Sequence, residues 1–277
     1  MTKSIFIFKI KFIKSEQPLL PFHDIETSEM FKIALEQKPK IPSRYNDAVW
    51  HIGNIVYIDE FSGTFRFGKQ IPSEFPVFDE NSKNFSTENV TEAPNCLIYF
   101  NLEYELLGIS SSSNLKLNKD EIAARLKEVL QNTKPVSESE TSVEISPVKN
   151  PKTFIEHLKS AHKIKNFTIK FSGPNPFDAD IDFHKPQSAY LKAIGGKEGK
   201  TSISGDSLNT DICVIMAKSV SGTGNDAYAK IQETSYGNAY QISLSRSPLK
   251  INLTSDDIDQ PKSIIEKILN AYRNAKK

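Results

Sequence analysis

Six lysines, Lys149, Lys152, Lys159, Lys163, Lys165 and Lys170, fall within a stretch that holds a single acid, Glu156. Ammonium groups gathered on one helix and the strand after it form a positive footprint that suits phosphate. The chemistry this implies is contact with a nucleic-acid backbone, with base sequence read weakly or not at all. A solvated lysine-rich face is the plain alternative for the same residues. A second group, Asp178, Asp180, Asp182 and His184, alternates with Ala179, Ile181 and Phe183, so an extended chain sets all four on one side. Such a set suits Mg²⁺, Mn²⁺ or Zn²⁺. Joined to Glu198-x-Lys200, it would make a metal-dependent nuclease. That pairing needs Glu198 and Lys200 on a strand, and the glycines around them speak against one. Pro174-Asn175-Pro176 precedes the acids and favours a turn or extended chain; after a proline turn, aspartates cap the backbone of a loop instead.

The remaining motifs fall short of catalysis. In Gly195-Gly196-Lys197-Glu198-Gly199-Lys200-Thr201, Ile194 stands where a phosphate loop needs its first glycine, and the residues before it read as helix rather than strand. Gly222-Thr223-Gly224 lacks the third glycine of a dinucleotide loop. His157 and His162 miss the i, i+4 spacing of a helical zinc pair, and no Gly-x-Ser-x-Gly elbow is present. Cys96 and Cys213 lie far apart in apolar runs, which makes them plain buried thiols. The sequence thus points to a binding protein with no cofactor and no catalytic residue, metal or otherwise.

Local periodicity supplies the elements that must carry these residues. Phe6, Phe8, Ile10 and Phe12 alternate with Ile7, Lys9 and Lys11, which predicts a strand with one apolar face buried. Helices are expected at 26–37, 118–131, 151–161, within 187–194 and at 256–275. Strands are expected at 48–58, 64–67, 96–102, 106–109, 142–148 and 164–171, with a late hairpin at 228–233 and 239–245. Asn118 and Glu121 have the spacing of a capping box. The apolar run 208–218 fits helix or strand. Residues 69–94, rich in proline and polar side chains, read as a long loop.

With 277 residues, the chain has room for about two domains. Thr133 to Thr141 is polar and without periodicity, and the boundary is placed there: an N-terminal α+β domain at 1–133 and a C-terminal α+β domain at 142–277. The fold class is α+β, two β-rich lobes of antiparallel sheet with packed helices. The net charge of +1 excludes a globally basic or acidic protein, but residues 1–133 carry 15 Lys and Arg against 18 acids, and 134–277 carry 20 against 16. No apolar run is long enough to span a membrane. Few cysteines and an N-terminus broken by lysines suit a cytoplasmic protein.

The order of elements resembles the RexA-like phage-exclusion family and related bacterial defence-island proteins. The likeness rests on Ile55-Val56-Tyr57-Ile58 with Thr64-Phe65-Arg66-Phe67, on the run Cys96 to Leu102 with Leu107-Gly108-Ile109, and on Val143-Glu144-Ile145-Ser146-Pro147 before the helix from Pro151. It continues through Phe167-Thr168-Ile169-Lys170-Phe171, Pro174-Asn175-Pro176 and the Gly237-Asn238 hairpin. The resemblance implies a homodimer that binds duplex DNA without obvious base specificity. It also implies a role in phage exclusion beside a second protein of the same defence operon. The expected function is therefore a non-enzymatic nucleic-acid-binding component or sensor of an anti-phage system. The alternatives are the metal-dependent nuclease on Asp178, Asp180, Asp182 and His184, or a protein-recognition module that senses a viral protein and activates a partner.

Overall fold

The computed structural model describes residues 4–14, 27–43, 47–111, 114–139, 141–172, 184–196, 198–244, 248–254 and 260–276. Among these the fold is α+β, with two antiparallel sheets. The large sheet takes β1 (Ser4–Lys14), β2 (Lys40–Pro42), β3 (Val49–Tyr57), β4 (Ser62–Asp79), β5 (Asn84–Glu92), β6 (Asn95–Asn101), β7 (Leu106–Ser110), β8 (Thr141–Pro147) and β13 (Lys250–Asn252). Its main order is β13-β1-β7-β6-β4-β3-β2, with β8 also on β1 and β5 on β4. The small sheet orders β10 (Glu198–Ser204), β9 (Lys163–Ser172), β11 (Asp226–Gln232) and β12 (Tyr240–Ser243).

The alternation in β1 sorts its side chains between two cores. Phe8, Ile10 and Phe12 join the core closed by α1 (Thr27–Glu36) and α2 (Lys119–Gln131). Ile5 and Ile7 join a second core on the opposite face, closed by α7 (Pro261–Lys276) through Ile264, Ile265, Ile268 and Tyr272. Each phenylalanine buried in the first of these cores is worth about 3–5 kcal/mol against truncation to alanine. The capping box is present as expected. Asn118 Oδ1 accepts from the amides of Asp120 and Glu121 at 2.9 and 3.0 Å, and the Glu121 carboxylate accepts from the Asn118 amide at 2.8 Å. Trp50 is core, stacked on Phe67 with ring centroids 5.2 Å apart.

Two expectations need correction. The polar stretch after residue 133 is packed structure. It forms the short helix α3 (Lys134–Glu138), opened by proline in its first turn, with Val136 fully buried. Gln131 clamps the start of β8, donating to the Thr141 carbonyl and accepting from the Val143 amide, both at 2.7 Å. One apolar residue in a single helical turn leaves no periodicity to read. The sheets part elsewhere: β8, β13 and α7, from the second half of the chain, belong with the large sheet, and β1 pairs with β8 over seven residues. The second correction concerns 69–94. β4 runs on to Asp79 and pairs with β5 from Ile71↔Glu92 to Asp79↔Asn84, making a two-stranded arm whose β5 side chains are all exposed. Asp79 closes its turn by accepting from the Asn81 amide at 2.8 Å and the Ser82 hydroxyl at 2.9 Å. Pro72 and Pro76 read as loop residues in sequence, yet on this arm they lack a third strand to serve. Alternate residues turn their amides to the same side, so both prolines leave the free edge of β4 short of donors.

The other face of β1, which carries Lys9 and Lys11, is buried as well. Lys9 is fully buried, donating to the Tyr104 carbonyl at 2.6 Å, with its ammonium 4.9 Å from the Tyr272 ring centre. Lys11 is buried opposite Glu144. Desolvation lowers the Lys11 pKa below 10.5, and the charges of Glu144 and Glu105 pull against that shift.

The arm and the buried lysine are each open to a direct test. Joining Ile71 to Glu92 through a two-residue Asn-Gly turn removes the arm without touching either core. The thermal midpoint of this excised chain is expected to stay within a few degrees of the parent, as for surface changes generally. A fall of ten degrees or more would show that the arm supports the sheet. For Lys11, the unfolded chain holds the proton more tightly than the folded one, so the cost of the buried charge is full below the folded pKa. It is relieved as pH rises toward 10.5. Unfolding measured from pH 7 upward should show wild type gaining stability relative to Lys11→Met.

Candidate nucleic-acid interface

The small sheet is two-sided in sequence and in structure. Phe167, Ile169 and Phe171 of β9 and Ala227, Ala229 and Ile231 of β11 point to one face and are buried. That face is closed by α4 (Lys152–Ser160) and α6 (Thr210–Gly222), with Phe154 of α4 against Phe167, ring centroids 6.3 Å apart. The ambiguous run 208–218 is thus helix, capped by Asn209 Oδ1 accepting from the Ile212 amide at 3.1 Å. Among the described residues no helix covers the other face with a comparable apolar layer, and its residues are polar in successive rows.

The register defines these rows. Lys200, Lys170 and Asp226 stand side by side across β10, β9 and β11. Ser202, Thr168, Tyr228 and Ser243 make the next row, and Ser204, Asn166, Lys230 and Gln241 the one after. Asn166 Nδ2 donates to Ser202 and Ser204 at 2.8 and 2.9 Å, and the Thr168 hydroxyl donates to Asn166 Oδ1 at 2.9 Å. This network fixes the floor of the face. Lys170, Lys200 and Lys230 are exposed above it. The Lys170 ammonium sits 5.2 Å from the Tyr228 ring centre. Lys163, half-buried and next to inward-facing Ile164, belongs to the same side at the start of β9.

The six predicted lysines therefore do not form one surface. Lys163 and Lys170 reach the open face, and Lys165 lies at the irregularity where the β9–β11 register shifts. Lys152 and Lys159 are exposed on α4, on the helix-covered side. Lys149 is buried. Its ammonium donates to the Asn225 carbonyl at 3.0 Å and lies 3.3 Å from Asp226 Oδ1. Desolvation lowers its pKa and Asp226 opposes that shift, so this lysine serves the junction between the sheets rather than a solvent-side anion. Helix period and strand period cannot be superposed along a sequence, which is why one lysine run divides among three places.

At the sequence level Lys230 and Tyr228 are missed, and Lys200 figures only as a partner in the nuclease alternative. The signal was present as a period of two in Glu198, Lys200, Ser202 and Ser204 and in Asp226, Tyr228 and Lys230. The glycines hid the first, because Gly195 to Thr201 reads as a surface turn. In the structure Gly195, with φ +69°, ends α5 (His184–Ala193), and the Gly196 amide donates back to the Leu191 carbonyl at 2.9 Å. The strand starts only at Glu198, so the objection to Glu198 and Lys200 sharing a strand falls. Gly224, with φ +75°, follows the end of α6 in the same way.

The described residues do not assemble the nuclease set. Asp178, Asp180 and Asp182 lie outside them, as does the His184 side chain. Among the described residues no group of three or more His, Cys, Asp or Glu could hold a metal ion. Asp226 stands two strands from Glu198, about 10 Å across the ladder. It is already engaged by Lys149 and by the Tyr228 hydroxyl, which donates to Oδ2 at 2.9 Å. Burial, with Asp226 alongside, raises the Tyr228 pKa above 10 and keeps it a neutral donor. Both cysteines are buried free thiols, with burial pushing Cys96 up to about 12 and Cys213 to about 11. No helix among the described residues is long and apolar enough to cross a membrane. No family model and no curated protein matches the sequence.

The Lys149–Asp226 pair carries a prediction. Asp226→Asn leaves a buried ammonium with a weaker partner and should cost on the order of 2–3 kcal/mol in chemical unfolding. The double change Lys149→Met with Asp226→Asn should recover part of that loss. Additive losses in the cycle would show that the two groups are not coupled.

Proposed function

We propose that the chain binds nucleic acid through the open face of the small sheet, as a non-enzymatic, DNA-contacting component of an anti-phage defence system. The observation that carries the binding reading is the grouping of Lys163, Lys170, Lys200 and Lys230 on one polar face, three of them exposed, around Tyr228. Lys170 and Lys230 stand about 14 Å apart along the strands, a span that meets more than one backbone phosphate. Hydroxyl and amide groups of Ser202, Ser204, Thr168 and Asn166 are bound mainly to each other, which leaves little free hydrogen bonding to read bases. Charge contact with weak sequence preference is the mode that such a surface supports. The defence role, a second copy of the chain and an operon partner rest on the resemblance to the RexA-like family and belong to the same proposal.

Each lysine–phosphate contact adds about −0.9 to the slope of log affinity against log salt, so four give about −3.5 on duplex DNA. Lys170→Gln, Lys200→Gln and Lys230→Gln combined should reduce that slope to about −1, equally for unrelated sequences. The apolar face of Phe167, Ile169 and Phe171 is untouched by these changes, so the variant should keep its circular dichroism and thermal midpoint. Unchanged binding by the folded triple variant would place the interface elsewhere. Negligible DNA affinity of wild type at low salt would favour a protein-recognition module.

A further inference from the structure

The open face does not run on indefinitely. At the end where β11 begins, the chain arrives from α6 through Thr223, Gly224 and Asn225, and that segment is clamped to the large sheet. The Lys149 amide donates to the Ser221 carbonyl at 3.2 Å, and the Lys149 ammonium holds the Asn225 carbonyl at 3.0 Å. Gly224 lies so close to Ser146 that a Cβ there would stand 2.1 Å from the Ser146 hydroxyl. Beside this segment, at the end of the sheet, lies a cleft of about 430 Å³ lined by Lys170, Lys200, Glu198 and Asp226 of the open face, by Gly224, and by Phe171 from the opposite face. That volume suits a small-molecule unit and is far too small for a duplex.

The charges in the cleft are unevenly satisfied. Lys170 and Lys200 are direct cross-strand partners, and like charges in that position oppose one another. Asp226 completes their row, but Lys149 and Tyr228 already occupy its oxygens. Among the described residues neither Lys170 nor Lys200 forms a salt bridge. Glu198 offsets one charge from the same side of β10, at a diagonal position to Lys170. An anion between the two ammonium groups relieves their repulsion.

We propose that this cleft takes the terminal phosphate of a nucleic-acid strand, an inference that rests on the open face being the nucleic-acid surface. A backbone laid over Lys230 and Lys170 reaches the cleft beside Gly224 and Asn225. A terminal phosphomonoester carries close to two charges at neutral pH and three free oxygens. An internal diester offers one charge, so the two-lysine cleft prefers the end.

The test uses the full chain and 16-mer DNA, single-stranded and duplex, bearing a 5′-phosphate, a 3′-phosphate or only hydroxyl ends. Binding is read by fluorescence anisotropy at fixed salt. One phosphorylated end is expected to bind about tenfold tighter than hydroxyl ends, the scale of one charge-assisted hydrogen bond. Lys200→Gln, an exposed change on an edge strand, should abolish that preference while the thermal midpoint holds. Lys230→Gln should weaken all the oligonucleotides alike and leave the preference intact. Equal binding of all three end types overturns the terminal-phosphate site and leaves the face reading standing. Absence of binding to any oligonucleotide overturns both.

Discussion

The position of β1 is the constraint on which the rest of the molecule depends. One edge is paired with β7 and the other with β13 and β8, and its two faces feed two separate cores. From Ile7 to Phe12 the strand has no solvated position for a charged residue, yet it carries Lys9 and Lys11. The cost of burying them is offset by a carbonyl, an aromatic face and two glutamates rather than by water. Those partners come from β7's approach at Tyr104 and Glu105, from β8 at Glu144 and from α7 at Tyr272. The lysines therefore tie the first strand to three other parts of the chain by interactions that tolerate little displacement.

The second buried lysine site extends the same logic to the small sheet. Lys149 leaves β8 and enters the junction, where it meets Asp226 at the first position of β11. It thereby fixes the end of the polar face relative to the large sheet. A lysine that looked in sequence like the first member of a basic run sets the geometry in which Lys170 and Lys200 stand, without itself facing solvent. Electrostatics inside the junction and electrostatics on the face are linked through one carboxylate.

Much of the fold was legible because the informative patterns were local. The alternation of Phe6 to Phe12, the Asn118–Glu121 cap and the last helix each lie within one element, and each is found in the structure, the last from Pro261 on, with its expected start at 256–259 outside the described residues. What escaped was long-range or masked by composition. Pro72 and Pro76 argue against a strand unless the strand lies at an edge with a free side, which local sequence does not declare. Val136 is a single apolar residue in a five-residue helix. The polar face needed three strands in register before Lys200, Lys170 and Asp226 became neighbours, and residues so far apart along the chain carry no visible sign of that adjacency. The lysine run was visible from the start, but its division among a junction, a helix and a sheet face was not.

The closure of β1 by β13 bears on how the chain comes to be folded. The Ser4↔Asn252 pairing joins the first described strand to the last, and α7 then seals the same core. A ribosome releases these pieces in order, so β1 emerges long before β13 and α7 exist. The Ile5 and Ile7 face and the short edge that β13 covers must wait until residues past 250 are made, whereas α4 to β12 form a compact unit of nearer contacts. Long-range closure of this kind slows folding, because the chain entropy is lost before the contacts are gained. The nascent chain is thus exposed to mispairing at β1, and the two lysines on that strand keep its waiting form charged and soluble until burial.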